Sequence, residues 1–131
     1  MKPLVFLLLL TSALAQETPD APHTFLDRQN LTLFSLNAAL VAADAFTTDH
    51  IVNHYPSGRE WNPIARPFVE HTSSAKAAIF WAGTYAGSVG LSFMFHHSGH
   101  HRLERFTQYL LVGCESYSVI SNAVTDSKGI H

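Results

Sequence analysis

The chain has 131 residues, 8 Lys and Arg against 10 Asp and Glu, a formal net charge of −2, and 9 His. That length holds one domain, and so small and dispersed a charge excludes nucleic acid as a partner, because phosphate binding needs clustered Lys and Arg. Cys114 is the lone cysteine, which excludes an internal disulfide and leaves a small secreted domain in need of another source of stability, such as a bilayer.

The N-terminus reads "MKPLVFLLLLTSALAQ", with basic Lys2, an apolar core from Leu4 to Leu10, and small residues Ala13 and Ala15 ahead of Gln16. This pattern predicts a cleavable secretory signal over residues 1–15, whose apolar part is too short to span a bilayer. An uncleaved anchor is the alternative. Residues 16–30 carry two prolines and scattered charge, which predicts a flexible leader.

Three apolar segments follow, at about 31–52, 77–95 and 106–124, ahead of a short tail at 125–131. The second holds no charged residue and would be about 28 Å long as a helix, close to the roughly 30 Å hydrocarbon thickness. A soluble amphipathic helix would carry charged or amide residues on one face. Here the polar groups are Ser, Thr, Tyr and the indole of Trp81. Gly83, Gly87 and Gly90, with Ala82 and Ala86, are small residues of the kind that let membrane helices approach closely. The first segment stays uncharged only to Ala43, and the third has Glu115 at its middle. The fold class expected is all-α: a small membrane-embedded bundle of three transmembrane helices after a cleavable signal peptide. The location expected is a membrane reached through the secretory pathway, the inner membrane of a bacterium. A cleaved signal would leave the N-terminus and the "HHSGHH" link outside and the Arg59–Lys76 loop inside.

Between the first two segments, Pro56, Gly58, Pro63 and Pro67 break any long helix. Asn62 before Pro63 suits a helix start, with Asn as cap and Pro in the first turn, so one short helix is expected there. Glu60, Asn62 and Pro63 would order this loop, with Glu60 pairing to Arg59 or Arg66.

In the first span, Asn37, Asp44 and Thr48 fall on one stripe, since spacings of seven and four return to nearly the same side of a helix. Gln108, Glu115 and Asn122, with Ser118 beside them, make a matching stripe on the third. Polar side chains do not face lipid cheaply, so the two stripes are expected to form a buried polar seam, closed by the glycine face of the second helix. Two carboxyl groups in one dry slice would share a proton or bind a cation. The plainer reading is interhelical hydrogen bonding that fixes packing.

His50 and His54 are four apart, with Asp49 nearby, and could hold a metal from one helix face. The link places His96, His97, His100 and His101 together in sequence, a possible Zn or Cu site at the opposite end of the bundle. The bland alternative is a solvated loop, with Arg102, Glu104 and Arg105 opening the third helix. Cys114 lacks a basic neighbour and reads as an inert packing residue. No GxSxG elbow, HExxH helix or Gly-rich phosphate loop occurs, so no catalytic residue is predicted.

At "AADAFTTDHIVNH" and "REWNPIARPF" the chain resembles uncharacterised small bacterial multi-span membrane proteins, which carry an Asp-x-x-Thr-Thr span and an acid-x-Asn-Pro loop motif. The matching residues are Asp44, Thr47, Thr48, Glu60, Asn62 and Pro63. The resemblance implies a three- or four-helix membrane protein with no assigned activity. The function expected is structural or accessory, packing against a second copy or a larger membrane partner. A proton or cation site at Asp44 and Glu115, and a secreted or periplasmic metal binder using the His-rich link, are the alternatives.

Overall fold

The computed structural model describes residues 22–55, 58–60 and 62–128, and every regular element among them is helical. Four helices follow in order: α1 Arg28–His54, α2 Arg66–Val69, α3 Ser74–His97 and α4 His101–Lys128. The expected signal, the first leader residues and the last tail residues lie outside the described residues. The three long helices have 27, 24 and 28 residues, or about 40, 36 and 42 Å at about 1.5 Å per residue.

Each long helix begins where its sequence supplies a cap or a break. Asp27, in extended conformation, accepts a 2.8 Å bond from the N–H of Asn30 and opens α1. Ser73 accepts from the N–H of Lys76 and opens α3. Gly99 closes α3 at φ 76°; its N–H donates to His96 O at 3.0 Å, and the next N–H, of His100, donates to Phe95 O at 2.9 Å. These two bonds are a Schellman close, which needs a left-handed residue and therefore favours glycine. The chain reverses within three residues, and α4 starts at His101.

Contacts fix the directions. Gln29 meets Tyr109 and Asn30 meets Glu104 at one end, whereas Tyr55 meets Asp126 at the other. α1 and α4 therefore run parallel and share the most extensive contact, while α3 runs antiparallel to both. The three predicted apolar segments are the cores of these helices, which extend past them into polar caps. α1 and α3 are long and apolar enough to cross a membrane. α4 is less apolar, with Gln108, Glu115, Asn122 and several serines within its central stretch.

Three expectations need correction. The end of the leader does not stand apart from the bundle: Phe25 packs with Phe34, Phe93 and His96 at ring-centroid distances of 5.3, 5.3 and 5.4 Å. Its acid Asp27 pairs with Arg105 at 2.5 Å. The short helix starts at Arg66, with Pro67 in its first turn; Asn62 Oδ1 accepts from Ile64 N at 3.0 Å and holds the turn before it. The glycine face does not close the seam. Nothing among the described residues lies within 4 Å of a Cβ built on Gly83, Gly87 or Gly90, and it is Ser88 and Ser92 that turn inward.

Candidate functional site

The interior is the polar part of this molecule. Among the described residues ten buried side chains are polar or charged and five are apolar, the reverse of a water-soluble core. Asn37, Asp44 and Thr48 of α1 and Gln108 of α4 are all buried, on the stripes that the spacing predicts. Asn122 of α4 reaches across with its amide, donating toward Asp44 Oδ1 at 2.9 Å, Thr47 Oγ1 at 3.1 Å and Thr48 Oγ1 at 3.2 Å. Nearer the N-terminus of α1, Asn37 Nδ2 donates to Ser88 Oγ at 2.9 Å, so the seam is shared with α3 as well as α4. At this second level and beyond it, toward Leu33 and Phe34, Asn37 Oδ1, Ser92 Oγ and both polar atoms of Gln108 are buried and make no hydrogen bond among the described residues.

Asp44 and Glu115 line one cavity of about 650 Å³, with Thr48, Thr84, Ser118 and Asn122. No direct hydrogen bond links the two acids among the described residues. Asp44 is held by Asn122, while Glu115 Oε2 is buried without a hydrogen-bonding partner among the described residues. Glu60 also reaches this cavity. Its carboxylate accepts from Asn62 N at 2.6 Å, whereas Arg66 pairs with Glu70 at 3.6 Å and touches Glu60 through the backbone carbonyl alone. Glu60 and Asn62 hold the loop through backbone bonds, and among the described residues no ion pair to the Glu60 carboxylate occurs.

A second polar cluster closes the opposite end. Glu104 is 0% exposed, and its Oε2 lies 2.8 Å from His96 Nδ1, 3.5 Å from His101 Nδ1 and 3.5 Å from His23 Nε2. Asn30, also fully buried, donates to the other carboxylate oxygen at 2.6 Å and to Phe25 O at 2.7 Å. Arg105 donates to Asn30 Oδ1 and to Asp27 Oδ2. Burial alone would raise the Asp27 carboxyl, but the Asn30 N–H, Arg105 and His23 outweigh it and hold Asp27 below the usual aspartate value.

The four link histidines therefore separate. Gly99 turns the chain so that His96 and His101 face each other, with ring centroids 4.8 Å apart. His97 is exposed and stacks on Phe93, and exposed His100 meets Ser98 Oγ at 3.0 Å. At the far end His50 and His54 stack face to face at 4.3 Å, and Asp49 accepts from Asn53, so these three do not converge on one point. Cys114 is exposed.

Sequence reasoning missed His23, Asn30, Glu104 and Arg105. The spacing of three from His101 to Glu104 put both on one helical face, a signal that was available. The joining of His23 to them across the bundle had no local signal. Comparison with protein-family models, with curated proteins and with solved structures finds no match to this chain.

Proposed function

We propose that this chain is a small integral membrane protein of accessory type, delivered through the secretory pathway, in which α1, α3 and α4 cross the bilayer around a polar seam. The observation that carries this reading is the inverted polarity. Phe46 is 74% exposed, Ile79 73% and Ile120 63%, while Asn37, Asp44, Gln108 and Glu104 are buried. In the most apolar stretch of α3, 6% is buried. So large an apolar surface is unstable in water and suited to lipid. α4 fits the same scheme despite its charges, because Glu104 and Arg105 face α1 and Glu115 faces the seam cavity. The outward Gly83–Gly87–Gly90 face offers a close-packing surface for a second copy or a larger membrane partner.

Carbonate extraction of membranes from cells expressing the untagged chain tests this reading. The mature protein should stay in the membrane pellet, shortened by the signal; release as a soluble species would defeat it.

One observation favours a second reading. Glu115 Oε2 is buried and unpartnered among the described residues beside a cavity that it shares with Asp44, an arrangement suited to a proton or small cation at the seam. Asp44→Asn should then abolish a pH- or cation-dependent signal in reconstituted vesicles while helix content survives. A silent variant would leave the acids as packing contacts.

A further inference from the structure

We infer that His23, His96, His101 and Glu104 form a binding site for a first-row divalent metal ion, with zinc the ion that this donor set suits. The inference stands apart from the membrane reading, since the cluster would bind the ion equally in a bundle held in detergent.

Convergence comes first. One ligand atom from each of the four residues falls within 4.8 Å of all the others, although they come from the segment before α1, the end of α3 and the start of α4. The three imidazoles do not stack. Their planes meet at 65°, 57° and 67°, so that ring edges turn toward a common point. Zinc–nitrogen and zinc–oxygen bonds of about 2.0–2.1 Å put tetrahedral ligand atoms about 3.4 Å apart. The separations from Glu104 Oε2 are 2.8, 3.5 and 3.5 Å, near that spacing, and the imidazole nitrogens, within 4.8 Å of one another, would draw in around an ion.

Protonation explains why a cation fits. His23 Nδ1 lies 3.1 Å from Thr24 O and 3.0 Å from Asp27 Oδ2, and two acceptors place the ring proton on that nitrogen. Arg105 Nη2 approaches Nδ1 as well, at 3.3 Å, while donating to Asp27 at 2.5 Å. With the ring proton on Nδ1, the lone pair of His23 is on Nε2. That atom is buried, makes no hydrogen bond among the described residues, and looks across 3.5 Å at a carboxylate oxygen. In that tautomer Nε2 faces a carboxylate oxygen that already meets His96 Nδ1 and His101 Nδ1, and a metal ion is the partner that Nε2 lacks. The charge agrees: Asp27 and Glu104 bring two negative charges and Arg105 one positive, a net deficit with neutral imidazoles.

The surroundings are those of a built site. Asn30 holds Glu104 Oε1 and so aims Oε2 at the histidines, while Asp27 orients His23 from behind, the outer-shell carboxylate that metal-bound imidazoles commonly have. Three imidazoles and one carboxylate favour zinc or a neighbouring first-row ion over calcium or magnesium, which prefer all-oxygen sets.

The test uses the full-length untagged chain in detergent, stripped with chelator and titrated with Zn(II), and separately with Co(II), whose visible spectrum reports coordination. The expected result is one ion per chain, with tetrahedral-type Co(II) bands, lost in His23→Ala and in Glu104→Gln and kept in the His97→Ala/His100→Ala double variant. His23 lies before the first helix, so its variant should keep full helicity by circular dichroism and remain informative if Glu104→Gln unfolds. A stripped chain that stays empty would overturn the proposal. So would binding that survives His23→Ala but disappears with His97 and His100, which would mean capture by the exposed link.

Discussion

Asn122 and Asp44 join α4 to α1 through a 2.9 Å hydrogen bond at the bundle's middle, and the same amide lies within 3.2 Å of two threonine hydroxyls. The two N–H groups of one amide thus meet acceptors on three α1 side chains, of which Asp44 and Thr48 are buried. Asn122→Ala leaves them without that donor and is expected to destabilise the bundle by about 1–3 kcal/mol. Asn122→Asp, which sets a second carboxyl against Asp44, should do so at least as strongly. Unfolding in mixed micelles, followed by circular dichroism, measures both.

The polar level above behaves oppositely. Gln108 is buried with both side-chain polar atoms unpaired among the described residues, and removing such groups with an apolar residue of similar shape is near neutral or stabilising. Gln108→Met should therefore unfold no earlier than the parent chain in the same assay, in contrast to Asn122→Ala.

Gly99 sits at φ 76° with open space where a Cβ would be. Its replacement is disfavoured by backbone conformation and not by crowding, so Gly99→Ala should cost about 1–2 kcal/mol. Asn, which tolerates the left-handed region better, should cost less. The same turn brings His101 back to His96, so Gly99→Ala should also weaken Zn(II) binding. Unfolding and metal titration on one preparation check both effects.

Asp27 touches one proposed ligand directly, His23, and reaches Glu104 through Asn30 and Arg105. Asp27→Asn keeps a side-chain acceptor for the Asn30 N–H and removes the carboxylate behind the imidazole, for which a loss of about 10–100-fold in Zn(II) affinity is expected. Competition with a chelating dye reads that change without requiring any activity.

At the far end, Tyr55 donates to Asp126 Oδ1 at 2.6 Å. That hydrogen bond, and the negative charge behind it, raise the phenol above its ordinary value near 10. A raised pKa means that the contact's contribution is fully present below the ordinary value and is lost as pH climbs through the raised one. Spectrophotometric titration should find Tyr55 ionising later than in the Asp126→Asn variant.

The helices were legible because composition and period act locally. An uncharged run from Ala77 to Phe95, and polar residues seven and four apart on α1, specify an element and a face without knowledge of partners. The seam followed from the same logic and lies where Asn37, Asp44, Thr48 and Asn122 predict. What escaped was long-range. The glycines of α3 were expected to face the other helices, yet Ser88 and Ser92 do so, and of these Ser88 meets Asn37 through its hydroxyl, a partner that a glycine does not offer. The cluster around Glu104 draws on residues some eighty positions apart, His23 and Arg105. Its local signs were a turn-forming glycine and a His–Glu spacing of three, and neither names the third histidine.

The central claim is that the apolar side chains of all three long helices face lipid while the polar ones face inward. Nitroxide labels on single cysteines at Phe46, Ala86 and Ile120, in a Cys114→Ser background reconstituted into vesicles, test it most directly, since each position is exposed on a different helix. The account predicts high accessibility to oxygen and low accessibility to a water-soluble nickel complex at all three. Accessibility to nickel that matches a water-exposed surface would contradict it.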